Sequence, residues 1–87
     1  MEIFIDILLR HPTWEIRVTS VSKPNAYCVE FFWTAPNKLA QTFHASVYLN
    51  VQKLRKVTSP GDWMERELAV LEKKLLKTIS EYESPSP

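Results

Sequence analysis

The sequence predicts an α+β fold in two layers: a four-stranded antiparallel β-meander followed by one long C-terminal amphipathic α-helix packed on one sheet face, in the order ββββα. Two observations lead to this prediction. Four stretches before residue 52 alternate apolar and polar side chains, and short breaks join them, which only antiparallel neighbours allow. Residues 59–82 instead repeat apolar side chains at spacings of three and four, the period of a helix.

The first predicted strand, Glu2–Arg10, rests on a strict alternation. One side of this stretch carries only aliphatic residues, Ile3, Ile5, Ile7 and Leu9. The segment His11-Pro12-Thr13 then breaks the pattern, because proline cannot continue a sheet ladder. We therefore expect an edge strand that faces the core with these four residues.

Three further strands follow the same period of two. They span Trp14–Ser20, Ala26–Thr34 and about Thr42–Val51, and proline and asparagine supply the turns between them. Aromatic and β-branched residues, which strands favour, are dense in the third of the four strands. The sequence therefore predicts a central sheet that is apolar on one face.

Centring each turn on its breaker residues fixes a register. Ile16 then lies opposite both Ile7 and Phe31, and Val18 lies opposite Val29. The same register aligns charges on the other face in one cross-strand row that we expect to form a salt-bridge network: Asp6, Arg17 and Glu30.

The C-terminal helix is predicted over Ser59–Tyr82. Ser59 is a suitable N-cap and Pro60 suits the first helical position. Residues 52–58 are expected to form a bulge or turn that tucks Leu54 and Val57 under the helix start. The helix presents one apolar stripe: Met64, Leu68, Leu71, Leu75, Ile79 and Tyr82.

Composition limits the functional classes. The 87 residues predict a single domain over 1–83 and a disordered Ser/Pro tail over 84–87. The one glycine, Gly61, excludes glycine-rich phosphate loops, and the one cysteine, Cys28, excludes an intramolecular disulfide. The apolar run Ile3–Leu9 is short and carries Asp6, so we expect neither a signal peptide nor a membrane span. These features favour a cytoplasmic protein.

Coverage of the predicted sheet points to a partner. A helix is about 10 Å wide, whereas four strands make a sheet roughly 20 Å across, so one helix covers about half of the apolar face. Soluble monomers rarely expose so large an apolar surface. We therefore expect a homodimer, in which a second copy covers the remainder, or a fold in which residues 35–41 and 52–58 cover it.

The function expected from these features is that of a small non-enzymatic protein-binding module with a regulatory, inhibitory or assembly role. Cys28 and His44 share a sheet face but are not opposite each other, and His11 is remote from His44, so the sequence predicts no catalytic set, no metal site and no cofactor. The residues expected to contact a protein partner are aromatic: Phe4, Phe32, Tyr48 and Trp63.

Single-stranded nucleic acid is the alternative partner. Exposed sheet aromatics can stack on bases, and clustered cations can follow the phosphates. The net charge of +1 and the acidic residues on the outer sheet face count against this reading. The basic residues that would contact nucleic acid are Lys53, Arg55, Lys56, Lys73 and Lys77.

Overall fold

The computed structural model describes residues 2–23, 25–37 and 39–83. Its elements are α1 (Glu2–Arg10), β1 (Trp14–Val21), β2 (Ala26–Thr34), β3 (Thr42–Asn50), α2 (Val51–Lys56) and α3 (Pro60–Glu83). The strands form one antiparallel sheet in the order β1-β2-β3. The α+β class, the antiparallel sheet and the two layers are thus confirmed, but the four-stranded meander is wrong because the sheet has three strands. The predicted Ser84–Pro87 tail lies outside the described residues, as do Met1, Pro24 and Lys38.

The residues predicted to form the first strand, Glu2–Arg10, form helix α1 instead. A strand would turn Ile5, Ile7 and Leu9 to one face, yet Ile7 is only 3% exposed while Ile5 is 56% and Leu9 74% exposed. Phe4 and Ile7, three residues apart, face the core instead. The run is almost continuously apolar, so it fits a helix and a strand equally well. Pro12 disfavours helical backbone at the residue before it, and α1 ends two residues ahead of that proline.

The register of the remaining sheet matches the prediction. Ile16 lies opposite Phe31, and Val18 lies opposite Val29. The predicted pairing of Ile7 with Ile16 is wrong, since Ile7 lies on α1. The inner face of the sheet therefore carries the expected apolar side chains, and Val29 and Phe31 in the central strand are almost fully buried.

Residues 51–56 form the short helix α2 where a bulge or turn was predicted. The Asn50 side chain accepts a hydrogen bond from the Lys53 amide at 3.0 Å and so caps the helix. Leu54 and Val57 are partly buried against the core, as predicted. An asparagine at the end of an alternating strand was the sequence signal for this helix start.

Helix α3 confirms the predicted C-terminal helix to within one residue at each end. Leu68, Leu71 and Leu75 are at most 1% exposed, so the predicted stripe faces the core. The helix lies across β2 and β3, while α1 lies over β1. Helix α1 therefore covers part of the inner face that a single C-terminal helix would have left open, although Val18 of β1 remains 49% exposed.

Candidate binding face

The outer face of the sheet is the side that neither α1 nor α3 covers. Strand alternation points these side chains away from the helices. Nearly all of them are exposed or half-buried. We call this surface the outer face; its central residues are Glu15, Arg17, Thr19, Cys28, Glu30, Phe32, His44, Ser46 and Tyr48.

Phe32 lies at the centre of an aromatic cluster on the outer face. It lies opposite His44 of β3, and the two rings stack with centroids 5.7 Å apart and planes 27° from parallel. The Arg17 guanidinium lies 5.0 Å from the centroid of the Phe32 ring, within cation–π range. An aromatic ring, an imidazole and a guanidinium therefore form one contiguous surface that can contact a partner through packing and charge together.

Tyr48 extends this surface along β3. It is 59% exposed and lies opposite Cys28 of β2. It lies four positions beyond His44 along the strand, which corresponds to about 13 Å. The same spacing keeps Cys28 away from His44, so the structure does not bring the thiol and the imidazole together.

The other two residues predicted to contact a partner lie on the helical side of the sheet. Trp63 belongs to the core and is 8% exposed, which leaves little of its ring for a partner. Phe4 is partly buried and lines an apolar groove of about 240 Å³ between the helices and the inner sheet face. The structure therefore brings Phe32 and Tyr48 onto one face and separates them from Phe4 and Trp63.

The predicted salt-bridge row is not formed as expected. Arg17 and Glu30 do lie opposite each other, but Asp6 is on α1 and so cannot belong to a row across strands. The Arg17 guanidinium lies over Phe32 of the same hairpin instead. Arg17 is therefore part of the aromatic cluster, which a register alone does not reveal.

The predicted nucleic-acid contacts lie away from the outer face. Lys53, Arg55 and Lys56 are exposed on α2, whose Leu54 lines the groove on the helical side. The Lys53 ammonium lies 5.8 Å from the centroid of the Trp63 ring. Lys73 and Lys77 are exposed on α3. These basic residues and the pair Phe32 and Tyr48 therefore occupy opposite sides of the sheet.

A polar cluster that the sequence did not predict joins α1 to α3. The Arg10 guanidinium donates two hydrogen bonds to the Glu72 carboxylate, at 3.1 and 3.2 Å, and His11 Nε2 lies 2.7 Å from the same group. The His11 ring also stacks on Trp14 with centroids 3.9 Å apart. We call Arg10, His11 and Glu72 the clamp. No local pattern indicates it, because its members are 61 and 62 residues apart.

The electrostatics of the clamp favour the ionised carboxylate. Burial alone would raise the pKa of Glu72, but hydrogen bonds from Arg10 and His11, with their charges, outweigh it and hold the pKa below its ordinary value. The hydrogen bond to Glu72 and its negative charge in turn raise the pKa of Arg10. The clamp thus fixes the C-terminal end of α1 against the middle of α3.

Replacing Glu72 with glutamine should lower the free energy of unfolding at neutral pH. It should also make that free energy less sensitive to a fall in pH. A carboxyl whose pKa is lower in the folded state stabilises the fold above its unfolded pKa, and this stabilisation is lost as pH falls through the folded value. We expect Glu72→Gln to lower the free energy of unfolding at pH 7 by no more than about 1 kcal/mol, because solvent screens an ion pair whose Arg10 side chain is exposed. The wild type should lose this advantage below roughly pH 4.5.

Urea unfolding between neutral and acid pH measures the effect of Glu72→Gln. The matched control is Glu81→Gln, which removes an exposed carboxylate of α3 outside the clamp. If wild type and Glu72→Gln lost stability in parallel as pH falls, the clamp would not contribute to acid sensitivity.

Two further properties bear on function. Within the described ranges, no three histidine, cysteine or acidic side chains come together to hold a metal ion. None of the described helices combines the length and the apolar character that crossing a membrane requires.

Comparison of the chain with protein-family models, with curated proteins and with solved structures gives no match.

Proposed function

We propose that this chain is a small non-enzymatic protein-binding module that acts in a regulatory, inhibitory or assembly role. The observation that carries the proposal is the uncovered outer face with its cluster of Arg17, Phe32 and His44 and the exposed Tyr48. Aromatic residues and arginine are the residue types enriched in the energetic centres of protein interfaces. The surrounding threonine, serine and glutamate residues suit a polar rim.

The chemistry of the outer face supports binding rather than catalysis. Cys28 and His44 offer the only thiol–imidazole combination on that face, and they lie about 13 Å apart along the strands. A nucleophile and its base need hydrogen-bond distance. The single cysteine of the chain also fits a reducing compartment, which favours action in the cytoplasm.

Single-stranded nucleic acid is a second candidate, favoured by the Arg17 guanidinium over the Phe32 ring. This pair is a stacking surface with an adjacent cation, as single-strand binders use. The remaining cations that were predicted to follow phosphates lie on α2 and α3, on the other side of the sheet. Protein is therefore the preferred partner.

Replacing Phe32 and Tyr48 with serine should abolish partner capture without unfolding the domain. Tagged wild type and the tagged double variant serve as bait in a lysate of cells of the source organism. Bound proteins are identified by mass spectrometry. The matched control, Val70→Ser, changes an exposed apolar residue of α3 that is 52% accessible. We expect wild type and control to enrich the same protein, and the double variant to lose it.

Circular dichroism of the same three proteins verifies that each remains folded. Equal enrichment by wild type and the double variant would contradict a role for the outer face. A fluorescein-labelled oligonucleotide tests the second candidate: binding at low salt that weakens steeply as salt rises, and that requires Phe32, would favour nucleic acid over protein.

A further inference from the structure

Strand β1 has one side without a neighbour in the described ranges 2–23, 25–37 and 39–83. It is an edge of the sheet, so one set of its backbone amide and carbonyl groups faces outward along eight residues, Trp14–Val21. Val18, whose side chain points to the inner face, is 49% exposed beside this edge. An edge of this length is a template for another strand.

Helix α1, which lies over β1, is apolar on two sides. Phe4 and Ile7 face the core, while Ile5, Leu8 and Leu9 are 56%, 36% and 74% exposed. The exposed residues are three and four apart, so they form one stripe. A helix that is apolar around most of its circumference is normally covered on both sides.

The stripe points beyond the β1 edge. Arg10 marks the side of α1 that faces α3, because it bonds to Glu72. At about 100° per residue, Ile5 and Leu8 lie roughly 140° and 160° around the helix from Arg10, and Leu9 lies roughly 100° from it. The stripe therefore faces away from α3, on the side where the sheet ends with β1.

We propose that a second copy of this chain pairs with the β1 edge. A two-fold axis perpendicular to the sheet makes β1 antiparallel to its counterpart, and the two sheets become one of six strands. The same operation places the exposed stripes of the two α1 helices against each other. The sheet layer and the helical layer therefore both contact the second copy. Such an isologous contact is the usual form of a homodimer interface.

Charge selects the register of this contact. With Ile16 on the axis, Glu15 lies opposite Arg17 of the second copy, and the same pair occurs twice. Moving the axis by one residue places Arg17 opposite its own counterpart, where like charges repel. Both registers keep inner-face residues opposite inner-face residues, so charge decides between them.

The position of α1 independently supports this axis. Phe4, near the start of α1, lines the groove with Val18, and His11, just after its end, stacks on Trp14. Helix α1 thus spans β1 from Val18 to Trp14, whose midpoint is Ile16. An axis at Ile16 therefore aligns the two α1 helices along their whole length.

The opposite edge of the sheet, β3, does not offer the same contact. On α3, Glu67 and Lys74 lie roughly 140° and 160° around the helix from Glu72, the residue that marks the side of α1. Val70, 52% exposed, is an apolar residue on the same side of α3. The helical layer above β3 therefore ends mainly in charged side chains and lacks the continuous apolar stripe of α1. The second copy at β1 engages Glu15 and Arg17 at the margin of the outer face but leaves Phe32 and Tyr48 uncovered. Self-association and capture of a protein partner through Phe32 and Tyr48 can therefore be measured separately.

Charge exchange tests the proposal. Glu15→Arg and Arg17→Glu each place like charges opposite each other in the dimer, whereas a mixture of the two variants pairs opposite charges twice. By light scattering, we expect wild type near twice the 10.2 kDa chain mass. Each single variant should raise the dimer dissociation constant at least about tenfold, and the mixture should recover the mass of a dimer.

Cysteine cross-linking tests the edge without depending on charge. In a Cys28→Ser background, Ile16→Cys should form a disulfide-linked dimer, since directly opposite Cα atoms lie about 4.5–5.5 Å apart. Ser46→Cys on β3, in the same background, should form no disulfide-linked dimer under oxidation. A wild-type mass of 10.2 kDa at all soluble concentrations, or cross-linking through Ser46→Cys alone, would overturn the proposal.

Discussion

Replacing Phe31 with alanine is expected to lower the free energy of unfolding by about 3–5 kcal/mol. Phe31 is 0% exposed in the central strand, where it packs against the Trp14 ring with centroids 6.0 Å apart. An 87-residue domain has roughly 4–13 kcal/mol of stability, so this loss leaves the variant partly unfolded or close to it. Urea unfolding followed by tryptophan fluorescence measures it, because all three tryptophans are buried.

Tyr48→Ala is the matched control for Phe31→Ala. It removes an aromatic ring of similar size that is 59% exposed, so we expect a change within about 0.5 kcal/mol. Both proteins must be compared at the same concentration, since self-association adds to the apparent stability. A loss below about 1 kcal/mol for Phe31→Ala would show that the core is not centred on β2.

Replacing Val70 with proline is expected to destabilise the domain by about 3 kcal/mol or more. Val70 lies in the interior of α3, where proline removes a backbone hydrogen bond and clashes with the preceding turn. The buried residues Leu68 and Leu71 flank it, so a kink at this point moves them out of the core. Circular dichroism during thermal unfolding measures the effect.

Val70→Ala separates the backbone effect of that proline from loss of the side chain. Val70 is 52% exposed and alanine favours helix, so this control should change stability by less than about 0.5 kcal/mol. If the two variants unfolded at the same temperature, α3 would not be one continuous element of the core.

Strong periodicity made most of the fold predictable. Strands β1 to β3 alternate cleanly, and their register follows from short turns whose breakers are visible in the sequence, so Ile16 and Val18 were placed opposite the correct partners. Helix α3 is more than six turns long, and its apolar residues repeat at helical spacing from Met64 to Tyr82. In both cases local pattern and long-range packing select the same structure.

Helix α1 was mispredicted as a strand because its local sequence pattern fits a helix and a strand equally well. Only tertiary packing selects the helix: Phe4 and Ile7 reach the core together, and Arg10 and His11 reach Glu72. That choice depends on residues more than 60 positions away, which no window of sequence contains.

Only part of the candidate binding face could be predicted, because the rest also depends on tertiary packing. Alternation places Phe32 and Tyr48 on one face, but it says nothing about the helices that enclose Trp63 and Phe4. The position of Arg17 over Phe32 depends on a side-chain rotamer, which a strand register leaves open.

The edge of the sheet at strand β3 should affect how the protein assembles in concentrated solution. Its nine residues include no lysine, arginine, aspartate, glutamate or proline, the residues that usually protect an exposed edge from strand addition. Pairing of two copies through β1 would leave a β3 at each end of the joined sheet. Growth into ordered fibrils would therefore begin at β3, and a single lysine at an outward position such as Ser46 is the conservative way to prevent it.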